Sequence, residues 1–168
     1  HIGSLEWMPN VEAVQWFLDD IWPSLNKSFP DLHFYIAGKG MSDDFKSQQY
    51  KNVTMMGEVD SATEFIYDKG ITVVPLKSGS GIRLKILEAM SAGKLVISST
   101  IGAQGISYSD GENIMLADTT ESYVGAFTKI LNDDALYRTI KENARKLIQD
   151  RYSNESVIAR LLGFYKTL

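Results

Sequence analysis

The sequence predicts an α/β fold, a Rossmann-like, doubly wound parallel sheet, on two observations. Short apolar runs rich in β-branched residues alternate with longer amphipathic segments along the 168 residues. The short runs are apolar on both faces, which is typical of strands buried between two layers of helices. Strict alternation of strand and helix further predicts parallel pairing with right-handed crossovers.

The predicted strands are five short runs: residues 33–37, 53–56, 71–74, 95–98 and 113–116. The first three end at residues that turn the chain, namely Gly38, Gly57 and Pro75. Ligands of open parallel sheets bind outside the carboxyl ends of the strands. We therefore expect a site in the loops that follow these runs.

The predicted helices begin near Pro9-Asn10, after Ser61, over residues 82–92, and, as two or three helices, from about Thr120 onward. Ser61 with Glu64 has the spacing of a capping box. Pro23 is expected to kink or end the first helix, and Gly93 to close the helix over 82–92. Tryptophans around the first helix are interpreted mainly as packing, with Trp7 an exposed contact to another domain.

Composition and charge exclude several classes of function. The chain has 17 basic and 21 acidic residues, a net charge of −4, and an acidic domain without a basic block is a poor nucleic-acid binder. Its lack of cysteine excludes disulfides and thiol catalysis, and two histidines make a multi-histidine metal site unexpected. No apolar run approaches the roughly 20 residues of a membrane span, and no signal-peptide pattern is present.

Chemistry is concentrated in the loop Gly79-Ser80-Gly81 and the helix that follows it. A glycine-rich turn at a helix N-terminus presents free N–H groups and the positive end of the helix dipole, an arrangement that binds phosphate. A plain flexible loop explains a Gly-Ser-Gly triplet equally well. The loop lacks the Gly-Lys-Ser/Thr ending of a Walker A motif and the third glycine of a dinucleotide fingerprint.

Helical spacing divides the residues of this helix between two faces. The core face is predicted to consist of Ile82, Ile86, Ala89, Met90 and Gly93. Gly81, Lys85 and Glu88 fall on a different face, so we expect Lys85 and Glu88 near the anion site. Arg83 and Lys85 can neutralise a diphosphate, and Glu88, in an apolar turn, needs donors such as sugar hydroxyls. The alternative is a solvated Lys–Glu pair.

The segment from Gly79 to Ser98 resembles the C-terminal, donor-binding domain of GT-B glycosyltransferases, particularly the retaining family 4, glycosyl transferases group 1. Glu88-Ala89-Met90 and Gly93 match the second half of the family's element of two glutamates separated by seven residues. Ser80 stands where the family usually has the first glutamate, which leaves open how the donor sugar is held. The likeness extends over essentially all of the chain, including Gly57-Glu58-Val59, which resembles the loop that frames the nucleotide base.

The resemblance implies a nucleotide-sugar site formed by Gly3, Ser4, Gly38, Lys39, Val59, Ser80, Gly81, Ile82, Arg83, Leu84, Lys85 and Glu88. In it, the amides of residues 81–83 would hold phosphate oxygens, Lys85 would offset their charge, and Glu88 would accept hydrogen bonds from the ribose. The family's first loop commonly supplies an Arg and a Lys to the diphosphate, and residues 4–10 supply neither. We hypothesise that Arg83 and Lys85 replace that charge.

The resemblance also implies a function for the chain. Residues 1–168 would be the single donor domain of an enzyme that transfers a sugar from a nucleotide diphosphate sugar to an acceptor, such as a glycan or polysaccharide precursor. No cofactor and no metal are expected, and no catalytic residue is assigned within the chain. We expect an N-terminal acceptor domain before His1, an inactive fragment without it, and a cytoplasmic location, peripheral at the inner membrane face. A sugar-nucleotide epimerase of the same architecture and a degenerate, non-catalytic nucleotide-binding module stay open as alternatives.

Overall fold

The structure is a computed structural model, which describes residues 1–167. Its strands are β1 Phe34–Ala37, β2 Val53–Gly57, β3 Ile71–Val74, β4 Leu95–Ser98 and β5 Met115–Leu116. Its helices are α1 Met8–Trp16, α2 Trp22–Ser28, α3 Asp43–Ser47, α4 Ala62–Tyr67, α5 Leu84–Ser91, α6 Thr120–Asn132, α7 Asp134–Arg151 and α8 Asn154–Tyr165. A π-helical segment, Phe17–Ile21, joins α1 to α2. No helix among the described residues is long and apolar enough to cross a membrane.

Residues 1–3 join the two halves of the sheet. All pairing is parallel, with β1 beside β2 and β4 between β3 and β5. Gly3 N donates to Ala37 O and Ala37 N donates to His1 O, both at 3.0 Å, so residues 1–3 run along β1. The His1 ring reaches the other half through Nδ1, 2.9 Å from Val73 O. The spatial order is therefore β2, β1, residues 1–3, β3, β4, β5, which confirms the doubly wound fold.

The core lies on both faces of the sheet, as the apolar strands predict. Val73 and Ile97 pack with the aromatic residues of the α1, α2 and α6 layer, including Phe17. Their neighbours Val74 and Val96 point to the opposite face and pack with α5 and α7. Because both faces are covered, the ligand-accessible part of the sheet is its edge at the carboxyl ends of the strands.

Most predicted elements are confirmed, and the differences have local causes. The strands at 71–74 and 95–98 have the predicted bounds, whereas only two residues of the run 113–116 form a strand because a turn at Gly111, where Gly111 N donates to Ile114 O, precedes it. Pro23 does not end the helical run, which continues to Ser28; it lies in the first turn of α2, directly after the π-helical segment Phe17–Ile21, where the regular α-helical hydrogen bonding is interrupted. Three helices follow Thr119, as expected.

Candidate functional site

The candidate site lies where the strand order reverses, at the carboxyl ends of residues 1–3, β1 and β3. The loops after residues 1–3 and after β1 touch through two glycines: a Cβ atom on Gly38 would lie 1.8 Å from Gly3 O. Leu5 N donates to Lys39 O at 2.7 Å, which continues this contact. Glycine at position 38 is thus required for the close approach of two backbones.

Lys85, in the first turn of α5, points back into this reversal point. Its Nζ donates to Asn10 Oδ1 at 2.9 Å, and a Cβ atom on Gly3 would lie 2.3 Å from it. His1 Nε2 lies 3.5 Å away; because Nδ1 of that ring donates to a carbonyl oxygen, Nε2 is the acceptor in the neutral ring. Burial, with a contribution from the Arg83 charge, lowers the pKa of Lys85 to about 8, which Glu88 partly opposes.

Asn10 is a buried residue that connects the first loop to Lys85 through two hydrogen bonds. Its Nδ2 donates to Ser4 O at 2.7 Å while its Oδ1 accepts from Lys85. It is 4% exposed, and it lies in the first turn of α1 because the helix begins at Met8, with Trp7 as the N-cap residue. The sequence indicated only a helix start here; α1 is barely amphipathic, so its pattern carried no signal that residue 10 faces inward.

Arg83 is the second cation of the site and, unlike the half-buried Lys85, it is buried, at 6% exposure. Its Nη1 donates to Gly81 O at 2.6 Å and to Ser80 O, and its Cζ lies 5.3 Å from the centroid of the Trp7 ring. Nε and Nη2 are buried without a hydrogen-bond partner. Buried donors without partners are rare in folded proteins, and a bound anion would satisfy these two.

Neither Arg83 nor Lys85 has a carboxylate partner. Within residues 1–167 the ion pairs are Lys46–Asp43 and Lys69–Asp68, both on the surface. Unpaired buried charge is costly, and the glycine-rich loop adds the unsatisfied N–H groups of a helix start to the same place. The arrangement therefore favours a ligand with at least one strong negative charge. The same residues contain no group of three His, Asp or Glu side chains placed to hold a metal ion.

Glu88 differs from expectation, because its side chain is exposed rather than buried in an apolar turn. It borders a groove of about 350 Å³ between α4, α5 and α7. Its effect on the pKa of Lys85 shows that it lies within electrostatic range of the cations. Ile82 also departs from its predicted core position: it is 50% exposed, because α5 begins only at Leu84.

The structure brings Gly3, Gly38, Gly81, Arg83 and Lys85 together and places the other predicted site residues around them. Ser4 is half-buried, with Oγ accepting from Glu6 N at 3.3 Å. Val59 is half-buried against the α5 side of the core, after β2. The remaining residues are exposed on the loops after β1 and before α5 and in the first turn of α5: Lys39, Ser80, Ile82 and Leu84.

The fold and the site together define a class: an α/β domain of the doubly wound type, with basic side chains that lack carboxylate partners at the topological switch point. The family described as glycosyl transferases group 1 matches residues 1–133. The chain belongs to this family.

Curated relatives agree with this assignment. A protein of Klebsiella pneumoniae, described as an uncharacterised 44.6 kDa protein in the cps region, is 25% identical over 95% of the chain and 44% of its own length. A phosphatidyl-myo-inositol mannosyltransferase of Mycolicibacterium smegmatis is 28% identical over 87% of the chain and 39% of its own length. The chain thus spans less than half the length of these relatives.

Solved structures show the same fold. The C-terminal domain of a glycosyl transferase group 1 family protein, LpcC, from Francisella tularensis superposes with a TM-score of 0.71 at 20% identity, over 91% of this chain and 85% of that one. HepE from Anabaena in complex with UDP gives a TM-score of 0.77 at 14% identity, over all of this chain and 48% of that one. These likenesses confirm the predicted C-terminal half of a GT-B glycosyltransferase as the fold.

Proposed function

We propose that the chain is the nucleotide-sugar-binding domain of a glycosyltransferase, which transfers a sugar from a nucleotide diphosphate sugar to an acceptor. The observation that most supports this proposal is a pair of cations at the carboxyl edge of the sheet, the buried Arg83 and the half-buried Lys85, which lack carboxylate partners. A diphosphate supplies the negative charge that these groups lack.

The proposed chemistry uses those cations in the bond-breaking step. The bond between the anomeric carbon and a diphosphate oxygen breaks, and negative charge develops on the leaving nucleoside diphosphate. Groups already aimed at that charge stabilise the transition state without having to reorganise. Lys85 is held in place by Asn10, and Arg83 by the carbonyls of its own loop, so both are preorganised. We propose that these two positive charges stabilise the leaving nucleoside diphosphate without a bound metal.

The remaining residues are assigned to the rest of the donor. Glu88, exposed and within electrostatic range of Lys85, is proposed to accept hydrogen bonds from the ribose hydroxyls. Val59, on the loop after β2, is proposed to pack against the base. Lys39 and Ser80, which are exposed, would face the sugar or the acceptor.

The acceptor is proposed to be a glycan or a polysaccharide precursor, bound by an N-terminal domain that this chain does not contain. A sugar-transfer role is supported by the relative described as a phosphatidyl-myo-inositol mannosyltransferase. We propose that the whole enzyme acts in the cytoplasm, peripherally at the membrane face, and that residues 1–168 alone bind nucleotide without transferring sugar.

The test is calorimetric titration with UDP, GDP and ADP, in buffer containing EDTA. We expect one of them to bind, and Glu88→Ala to weaken its binding while leaving binding of inorganic diphosphate unchanged, because inorganic diphosphate has no ribose. Glu142→Ala, which removes an exposed carboxylate on α7, is the matched control. Undiminished nucleotide binding by Glu88→Ala would refute the role of Glu88, and no nucleotide binding by the wild type would refute the function.

A non-catalytic donor-binding module is the second candidate. Ser80 occupies the position at which the family 4 glycosyltransferases, which this sequence resembles, usually have a glutamate. Acceptor-dependent release of nucleoside diphosphate, measured with the full-length protein, separates the two. A transferase releases it only when an acceptor is present, whereas a regulatory module binds the nucleotide and releases none. The same assay separates a transferase from an epimerase, which needs no acceptor.

A further inference from the structure

Trp7 lies beside the anion site, although its residue type and position gave no indication of a role there. It is the N-cap residue of α1 and is 39% exposed. Its ring lies over the Arg83 guanidinium, 5.3 Å from centroid to Cζ. A Cβ atom on Gly79 would lie 3.0 and 3.1 Å from two atoms of the ring and 2.9 Å from Arg83 Nη2. Gly79 therefore leaves the space in which the two side chains meet.

The contacts of the Arg83 guanidinium leave two of its nitrogen atoms without a hydrogen-bond partner. Nη1 is occupied by the carbonyl oxygens of Ser80 and Gly81. Nε and Nη2, which are buried and have no hydrogen-bond partner, are adjacent donors. Two adjacent guanidinium donors match two oxygens of a phosphate in a bidentate pair. The loop carbonyls thus hold one end of the guanidinium, and its Cζ lies over the ring of Trp7.

We propose that Trp7 is a positioning residue for diphosphate binding, which holds the Nε–Nη2 edge of Arg83 towards the phosphate oxygens. This inference rests on the proposed function, since it assumes a diphosphate at the site. Trp7 belongs to the loop after residues 1–3 and Arg83 to the loop after β3, so their contact joins the two loops that flank the switch point. Ser78 Oγ, which donates to Glu12 Oε2 at 3.2 Å, reinforces the same connection.

Stacking explains why a tryptophan serves this purpose. An unsupported arginine loses much rotamer freedom when it binds an anion, and that loss weakens binding. A guanidinium already held against an aromatic face has lost part of this freedom beforehand, and the ring's electron-rich face attracts its charge. Phenylalanine keeps a smaller face, whereas alanine removes the face entirely and admits water to Arg83.

The experiment compares Trp7→Ala and Trp7→Phe with the wild type. Each protein is titrated with inorganic diphosphate, with the tightest-binding nucleotide of UDP, GDP and ADP, and with the corresponding nucleoside. We expect Trp7→Ala to weaken diphosphate and nucleotide binding by about 3- to 30-fold, and Trp7→Phe by less. Nucleoside binding should not change. In an Arg83→Met background, Trp7→Ala should have little further effect, since the two residues act as a unit.

Tryptophan fluorescence gives a readout that a merely structural role would not affect. Binding of inorganic diphosphate should change the emission of the wild type and of Trp16→Phe, and this change should be absent in Trp7→Phe. This measurement decides the proposal even if Trp7→Ala fails to fold, which circular dichroism will reveal.

Three results would overturn the inference, and they are distinguishable. If the wild type binds neither inorganic diphosphate nor a nucleotide, the proposed function fails together with it. If the wild type binds and Trp7→Ala binds equally well, only the positioning role fails. If Trp7→Ala weakens nucleoside and diphosphate binding equally, Trp7 acts on the base or on the fold rather than through Arg83.

Discussion

Replacing Lys85 by methionine should stabilise the fold and weaken anion binding at the same time. Burial lowers the pKa of Lys85 from 10.5 to about 8, which corresponds to about 3 kcal/mol of cost for keeping it charged at pH 7. Methionine of similar length removes that cost. It also removes the hydrogen bond to Asn10, which is worth about 1 kcal/mol. We therefore expect Lys85→Met to raise the free energy of unfolding by about 2 kcal/mol at pH 7.

The gain should disappear in a defined pH range. Below pH 8 Lys85 is charged in both the folded and the unfolded state, and the folded wild type bears the full cost. Between pH 8 and 10.5 the folded state loses the proton first, so the wild type gains stability and the advantage of the variant declines. Urea unfolding at pH 7 and pH 9.5 measures this, with Lys146→Met on α7, an exposed lysine, as the control. If Lys85→Met is less stable than the wild type at pH 7, or if its advantage does not depend on pH, then the unpaired charge of Lys85 does not destabilise the fold.

Two further predictions concern the same edge of the sheet. Binding of the nucleoside diphosphate should weaken as the pH rises above about 8, by up to about tenfold per pH unit, because the free protein then holds Lys85 without its charge; calorimetry from pH 7 to 9.5 checks this, and an equally steep decline in Lys85→Met would contradict it. Gly38→Ala should destabilise the fold by about 1–3 kcal/mol or more, because its Cβ atom would lie 1.8 Å from Gly3 O. In urea unfolding, Gly125→Ala in α6, where no atom lies within 4 Å of the new Cβ, is the matched control and should stabilise by about 1 kcal/mol; equal effects of the two substitutions would show that the crossing at Gly38 is not tight.

Patterns of local sequence predict the frame of this fold well. The strands at 71–74 and 95–98 are apolar on both faces and have the predicted bounds. A strand buried between two layers is apolar along its whole length, so the sequence shows where it begins and ends. The start of α5 was placed too early, since helical periodicity cannot show where a glycine-rich loop stops and a helix begins. Ile82 has the spacing of a core residue but lies in that loop, outside the helix.

The site itself was predicted only in part, for a physical reason. Arg83 and Lys85 could be identified because they follow a glycine-rich turn at a fixed distance. Asn10 and Trp7 could not, because their roles depend on contacts with residues about 75 positions away along the chain. Such contacts follow from the packing of the sheet and leave no pattern in local sequence. The exposure of Glu88 was missed because its apolar neighbours point to other faces of α5.

The first loop of the site lacks basic residues, and the position of the Lys85 charge explains how the site can do without them. Residues 4–10 contain neither an arginine nor a lysine. Lys85 Nζ, however, would lie 2.3 Å from a Cβ atom on residue 3. A lysine of α5 therefore places its charge at the start of the first loop. The electrostatic field at this edge of the sheet depends on where the positive charge lies, and not on which element carries it. This supports the hypothesis that Lys85, together with Arg83, replaces the basic residues of the first loop, and it explains why position 3 has no side chain.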